Sequence, residues 1–445
     1  MPRFRMTDRI RKAIARDRKV IMPSTRGGTR FVASRGEGDI VYDISGNRFI
    51  DFSTFIGVYN LGVNSTKQAR EAAKRQIDTL MHAAFTDYYA ELPVEFAENL
   101  LSLFPRGFGK IFFSNSGTES IEAAIKYSKI LTKRQYLLAF YNSFHGRTYG
   151  SLSLTSSKLT QREHLGPFNS VVHVPYAYCY RCPFGKEYPS CGMACVDFIK
   201  KYPLSKEVSG KEVAAIFVEP VQGEGGYVVP PKEFIKGLRE IADDNGMLLV
   251  SDEVQAGAMR TGKFLAMDNF GVQADIYSMA KSLGGGLPIG ATIVRNSLGV
   301  PPEGAHSNTY GGNLVAVAAA NELVKYVKKN MKSLEDQTRV KGRHIMERLN
   351  QMKERYEIIG DVRGLGMMIG IEFVRDKKSK IPAPKERDKV VEEAFDGGLL
   401  MLPCGNSTIR VIPPITIAQK NLDEGLDILE DAIRKVNAAS NAKSA

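Results

Sequence analysis

Through the middle of the chain, short apolar runs alternate with longer stretches of helical periodicity, as expected for a mostly parallel sheet joined by crossover helices. Residues 110–114, 136–140, 213–218, 247–250 and 290–294 read as strands. Residues 117–133 read as the helix that follows the first of them, with Ile121, Ala124 and Ile125 at helical spacing. Most of these runs end in a polar or glycine-rich turn, and chemistry in open α/β sheets gathers at such strand ends. The outer portions differ. Residues 40–52 carry a hairpin signal, and the last hundred or so residues set long charged helices, such as 333–356, around short strands. The expected fold is α/β, with helices on both faces of a mostly parallel central sheet and a smaller α+β domain built from both chain ends. Its expected bounds are 1–75 for an N-terminal arm and part of the small domain, 76–325 for the large domain and 326–445 for the rest of the small one. A polar tail from Asn437 onward is expected to fray.

Composition narrows the class without redirecting it. At 445 residues the chain exceeds what one core usually serves, which agrees with a large and a smaller domain. Hydrophobic content of 43% and charged content of 25% exclude collagen-like and disordered classes. No run approaches the roughly 20 apolar residues of a membrane span, and the N-terminus lacks the apolar core of a signal peptide. A cytoplasmic protein with no membrane partner is expected. The net charge of +12 owes much to Arg3, Arg5, Arg9, Arg11, Lys12, Arg16, Arg18 and Lys19. Asp8 and Asp17 interrupt that series and aromatic interleaving is sparse, so it reads as a solvated arm and not as a nucleic-acid surface. Cys179, Cys182, Cys191 and Cys195 crowd into one loop-like segment whose spacing is compatible with a structural metal, a local disulfide or free thiols; none of these is catalytic, and no active-site metal is expected.

Candidate chemistry lies at two strand ends. An apolar run closes on Ser251-Asp252-Glu-Val-Gln-Ala-Gly257, and another leads through Ile276-Tyr-Ser-Met-Ala to Lys281-Ser-Leu-Gly284-Gly-Gly286. A lysine in a desolvated pocket has a lowered pKa and acts as both nucleophile and base. An acid nearby can keep a pyridine nitrogen protonated, so the pair suits a pyridoxal cofactor. Ser114-Asn-Ser116-Gly117-Thr118 places small residues where a strand meets a helix N-terminus, a ready cradle for phosphate.

With these motifs in place, the chain resembles the class III aminotransferases, the fold-type I pyridoxal-phosphate group that includes 4-aminobutyrate and ornithine aminotransferases. The resemblance runs from about Val41 to about Ile417. It is carried by Asn115-Ser-Gly-Thr-Glu119, Phe144-His-Gly-Arg-Thr148, Val218-Glu-Pro-Val-Gln-Gly-Glu-Gly-Gly226, Ser251-Asp-Glu-Val-Gln255, Arg260-Thr-Gly262, Ala280-Lys-Ser-Leu-Gly284, Thr309-Tyr-Gly-Gly-Asn313, Asp361-Val-Arg-Gly-Leu-Gly366 and Arg410-Val-Ile-Pro-Pro414. It implies that Lys281 forms the Schiff base with pyridoxal 5′-phosphate and that Asp252 pairs with the ring nitrogen. It also implies that Val254 and Phe144 cover the two ring faces, with His145 supporting Phe144, and that Gln255 meets the phenolic oxygen. Ser116, Gly117 and Thr118 would hold the phosphate, and Thr309 would reach the phosphate of a neighbouring subunit. A homodimer, or a dimer of dimers, with shared active sites follows from that last assignment.

The same resemblance implies a site for small amino and keto acids. Arg147 would grip a distal carboxylate and Arg410 an α-carboxylate, and guanidinium suits both because its fork donates two parallel hydrogen bonds. Glu224 would pair with Arg410 when the substrate has no α-carboxylate, Glu219 would support that pair, and Ile56 would line the pocket as in 4-aminobutyrate enzymes. The expected reaction moves the amino group of an ω-amino acid such as 4-aminobutyrate to 2-oxoglutarate. An amino-acid racemase, or an ornithine- or lysine-type aminotransferase, is the alternative.

Overall fold

The computed structural model describes residues 4–25, 28–64, 66–168 and 170–444; Arg3 of the basic arm and the last residue of the polar tail lie outside them. Its centre is a seven-stranded sheet in the order Phe108–Ser114, Gly290–Arg295, Ile276–Met279, Leu248–Asp252, Val213–Val218, Tyr136–Phe140 and Val171–Val174. Gly290–Arg295 runs antiparallel to both neighbours and every other pairing within the sheet is parallel, so the expectation of a mostly parallel sheet holds. The strands read from the sequence recur within a residue or two of their expected ends. Val171–Val174 was not among them. The helix expected to 133 stops at Thr132, where Lys133 turns left-handed at φ 58°.

Successive strand residues face opposite layers, and both layers are apolar. Leu137, Ala139, Phe217, Leu248 and Val250 pack with Ile121, Ala124 and Ile125 of the helix Gly117–Thr132. Leu138, Phe140, Ile216, Val218 and Leu249 face the other way, toward Phe234, Ile235 and Leu238 of the helix Lys232–Asn245. A sheet covered on both faces explains why its strands read as unbroken apolar runs.

Two four-stranded sheets flank this core. One joins Ala33–Glu37, Ile40–Asp43 and Arg48–Asp51, the expected hairpin among them, to Leu399–Leu400 from the far end of the chain. The other orders Ile359–Leu365, Met368–Phe373, Thr408–Val411 and Leu402–Cys404. The helix Leu314–Arg355, 42 residues long, runs through the boundary read near 325. The helix Gln419–Ser444 continues through the tail expected to fray. Arg260, 1% exposed, ties these parts together: Nε and Nη2 donate to Asn60 Oδ1 at 3.1 and 2.7 Å, and Nη1 donates to the carbonyls of Met367 at 3.2 Å and Pro413 at 2.7 Å. Burial pushes its pKa down to about 10.

The five cysteines are free thiols, and among the described residues no three His, Cys, Asp or Glu side chains are grouped to hold a metal. No helix among them is long and apolar enough to cross a membrane.

Gly342 lies inside the long helix where the Gly366-Met367 turn crosses it, and a Cβ there would sit 2.2 Å from the carbonyl oxygen of Gly366. Gly342→Ala is therefore expected to destabilise the protein by about 1–3 kcal/mol despite alanine's better helix propensity. A thermal melt checks this, and an unchanged or raised midpoint would contradict the tight crossing.

Candidate active site

The parallel strands Leu248–Asp252 and Ile276–Met279 pair with Asp252 opposite Ser278, which brings Asp252 and the turn carrying Lys281 to the same edge of the sheet. Lys281 opens a short 3-10 turn and holds a left-handed φ of 45°, a conformation that costs a non-glycine residue energy and is typical of functional sites. Burial pulls its amine below the usual lysine pKa, against the charges of Asp252 and Glu224, while the charge of Arg410 acts in the same direction as burial. The result is a nucleophilic, partly desolvated amine.

Asp252 is 5% exposed and its Oδ2 lies 2.7 Å from Nδ1 of His145, which is itself 3% exposed. Burial opposes a charge on the imidazole, but the hydrogen bond and charge of Asp252 outweigh it and hold the His145 pKa above its ordinary value. His145 thus hydrogen-bonds the acid, a contact that the sequence did not indicate. Phe144 is half-buried, and its backbone N–H donates to Glu219 Oε2 at 3.0 Å. Glu219 Oε1 accepts from Gly223 N–H at 2.9 Å, and burial raises the Glu219 carboxyl to about 7.

The helix Gly117–Thr132 begins beside this edge, with Ser116 as its cap, accepting from Glu119 N–H at 3.3 Å. The first backbone N–H groups of a helix have no partner inside it, and its dipole favours an anion there. Thr118 Oγ1 gathers Thr148 Oγ1 at 2.9 Å, Ser151 Oγ at 2.5 Å and the N–H of Arg147 at 3.2 Å. The cradle is built for close approach: a Cβ on Gly117 would lie 2.8 Å from Val254 Cγ1, and one on Gly146 would lie 2.1 Å from Thr118 Oγ1. Gln255 accepts the hydroxyl of Tyr227 at 2.8 Å through Oε1, which turns its amide N–H₂ the other way. A desolvated lysine, a braced acid and an anion cradle are the donor set that pyridoxal phosphate needs, so the residues fit that group.

Glu224 and Arg410 form a second pole. Arg410 Nη2 donates to Glu224 Oε1 at 2.8 Å and to the carbonyl of Pro403 at 2.9 Å, with the two side chains 5% and 16% exposed for Arg410 and Glu224. Burial disfavours both charges, but each partner outweighs it: the Glu224 carboxyl falls below its ordinary pKa and the Arg410 guanidinium rises above. Nε and Nη1 of Arg410 are buried with no hydrogen-bond partner.

Three expected residues are exposed. Arg147 is exposed, its guanidinium 5.8 Å from the centre of the Phe144 ring. Thr309 is exposed as well. Ile56, 48% exposed, belongs to a left-handed run from Thr54 to Gly57, and a Cβ on Gly57 would lie 4.0 Å from Lys281 Cδ, so this run borders the lysine. Tyr227 meets Gln255, and Arg363 bonds the Gly226 carbonyl next to it. Arg363 lies within the Asp361–Gly366 motif, and nothing in the sequence pattern marks Tyr227.

The family model for class-III aminotransferases matches residues 21–433. A leucine/methionine racemase of Thermococcus litoralis is 42% identical over 407 residues, covering 91% of each chain. A probable 4-aminobutyrate aminotransferase of Bacillus subtilis is 34% identical over 412 residues, 92% of this chain and 94% of that one. Among solved structures, an amine transaminase from an uncultivated Pseudomonas species in its PLP-bound form superposes with a TM-score of 0.86 at 27% identity, covering 94% of this chain and 97% of that one.

Glu219, Glu253 and His145 share one sign of pH dependence. Burial raises both glutamates to about 7, and Asp252 raises His145, so the folded chain binds more protons than the unfolded chain near neutrality. Their stabilising contribution is present at low pH and lost as pH rises through the folded values. Urea unfolding of the cofactor-free protein should therefore lose about 1–2 kcal/mol between pH 6.5 and 8. A midpoint that rises over that interval would contradict the raised pKa values of these buried groups.

Proposed function

The chain belongs to the class-III aminotransferases, pyridoxal-phosphate enzymes, and from that premise we propose that it transfers the amino group of an ω-amino acid, 4-aminobutyrate foremost, to 2-oxoglutarate. The observation that carries this reading is the Glu224–Arg410 pair with two of the arginine's buried donors unpartnered. A donor with no α-carboxylate enters while Glu224 neutralises the arginine. 2-Oxoglutarate or glutamate brings its own α-carboxylate, and Nε and Nη1 are donors waiting for it. One site thereby serves two substrates in turn.

When bound, pyridoxal phosphate supplies an aldehyde that condenses with amines and a ring that takes up the electron pair of a substrate C–H bond. Gly117, Thr118 and the Ser116 cap would hold its phosphate, with Thr309 of a second copy completing the cradle in a homodimer. Asp252, hydrogen-bonded to His145, would hold a proton on the ring nitrogen. Val254 and Phe144 would confine the ring faces, and the amide N–H₂ of Gln255 would donate to the phenolic oxygen. Lys281 Nζ, whose pKa burial pulls below the usual lysine value, would accept the proton leaving the amino-bearing carbon. Arg147, exposed beside Phe144, meets the distal carboxylate, and Ile56 lines the entrance.

A racemase reading has its own observation, the 42% identity to a leucine/methionine racemase, and would require protons to reach both faces of the substrate carbon. Incubation of the holoenzyme with L-leucine or L-methionine and no keto acid separates the two. Transamination predicts a single stoichiometric turnover, and sustained formation of the D-enantiomer would replace it with racemisation. With 2-oxoglutarate as acceptor, 4-aminobutyrate should give sustained glutamate, and activity confined to α-amino donors would sink the ω-amino assignment.

The lysine assignment has a chemical check. Borohydride treatment of the wild-type holoenzyme should leave the cofactor's mass on the peptide containing Lys281, and Lys281→Ala should carry none. A label retained elsewhere in the variant would move the attachment to another residue.

A further inference from the structure

The Asp361-Val-Arg363 motif lies outside the cluster around Lys281, yet its arginine bonds the two segments that carry Glu224 and Arg410. Arg363 and Arg410 stand in one rung of the small sheet: Arg363 pairs with Gly370 on the central strand, and Gly370 pairs with Arg410 on the next. The middle position has no side chain, and the segment Gly226-Tyr227 crosses the sheet in that gap. A Cβ on Gly370 would lie 3.0 Å from Tyr227 Cβ, 3.0 Å from Thr408 Cγ2 and 3.3 Å from the carbonyl oxygen of Gly226.

The guanidinium grips what crosses there. Nε donates to the carbonyl of Gly226 at 3.1 Å, and Nη2 donates to the same carbonyl and to Thr408 Oγ1 at 3.1 Å. Gly226 is two residues after Glu224, and Thr408 is two residues before Arg410 on the same strand face. From the other side, Gly405 N–H donates to the Glu224 carbonyl at 2.8 Å. Arg363 is itself fixed by Asp361 Oδ2 at 2.9 Å and Glu372 Oε2 at 2.6 Å, and its side chain is 11% exposed. Tyr178 and Arg181 also hydrogen-bond Glu372, so that anchor is itself held in place.

We propose that Arg363 is a positioning residue that fixes the backbone of the Glu224 loop against the strand of Arg410, and so sets how readily Glu224 yields to a substrate α-carboxylate. It touches no substrate. This inference rests on the reading of Glu224–Arg410 as a substrate-dependent pair. A lysine at 363 would keep the charge toward Asp361 and Glu372 but lose the fork that spans Gly226 and Thr408.

The test compares holoenzymes of the wild type, Arg363→Gln, Arg363→Lys, Glu224→Gln and the Arg363→Gln/Glu224→Gln double variant. Amide hydrogen exchange over residues 223–228 is the readout independent of turnover. The ratio of kcat/KM for 2-oxoglutarate to that for a donor without an α-carboxylate is the second. Arg363→Gln should speed exchange in that loop about tenfold and shift the ratio about tenfold through KM, with Arg363→Lys between it and the wild type. The double variant should shift the ratio no further than Glu224→Gln alone, because the arginine acts through the glutamate. Additive shifts, or a lower melting point with exchange and ratio unchanged, would overturn the proposal. If Glu224→Gln itself leaves the ratio at the wild-type value, the switch reading falls, and the exchange result alone then decides whether Arg363 holds the loop. Should Arg363→Gln fail to fold, Arg363→Lys is judged by the same criteria.

Discussion

The site depends on one pairing, that of the strand Leu248–Asp252 with the strand Ile276–Met279. Parallel strands end at the same edge, so an acid closing one and a lysine just beyond the other are brought together by backbone hydrogen bonds alone. Both strands are buried on both faces, and burial pulls the Lys281 amine below the usual lysine pKa. The packing that stabilises the core and the desolvation that activates the lysine are the same event. The antiparallel strand Gly290–Arg295 beside them seats its first residue against Ser114, at the mouth of the helix whose N-terminus forms the anion cradle.

Burial also explains how several charges are held without being silenced. A lone buried ion is costly, and each one here is matched by a partner within hydrogen-bond distance: Asp252 by His145, Glu224 by Arg410, Glu372 by Arg363. Arg260 is the contrasting case. Its contacts are with an amide and two carbonyls, and its pKa drops accordingly, which suits a strut between layers better than a site that must recruit an anion. Arg410 differs because it retains unpartnered donors, a buried cost that a bound carboxylate would relieve.

Much of this was legible beforehand because it is local. Apolar runs ending in Asp252 or leading to Lys281 announce strand ends, and Ser116-Gly117-Thr118 announces a helix N-terminus. The pairing of Leu399–Leu400 with Arg48–Asp51 and the length of the helix Leu314–Arg355 were not legible. The first is a contact between distant segments, and the second hides a buried alanine-rich half that lacks an amphipathic stripe. The contact of His145 with Asp252 was not legible for a related reason. Its neighbour in sequence is Phe144, but its side chain turns to Asp252, 107 positions away, and no spacing rule records that. Arg147 and Thr309 are exposed.

Arg363 shows how a residue can matter to a site it does not enter. An acid that must leave its arginine partner when a substrate carboxylate arrives cannot be held too tightly by that partner alone. Its backbone must instead be fixed by something that remains when the pair opens. Arg363 bonds the Gly226 carbonyl and not the Glu224 carboxylate, so its grip is indifferent to whether the pair is made or broken. Asp361 and Glu372 keep the guanidinium in place from behind, and Gly370 leaves the space the loop occupies. The loop backbone can then stay put while only the Glu224 side chain moves, which limits the ordering cost of each exchange to a few side-chain rotors.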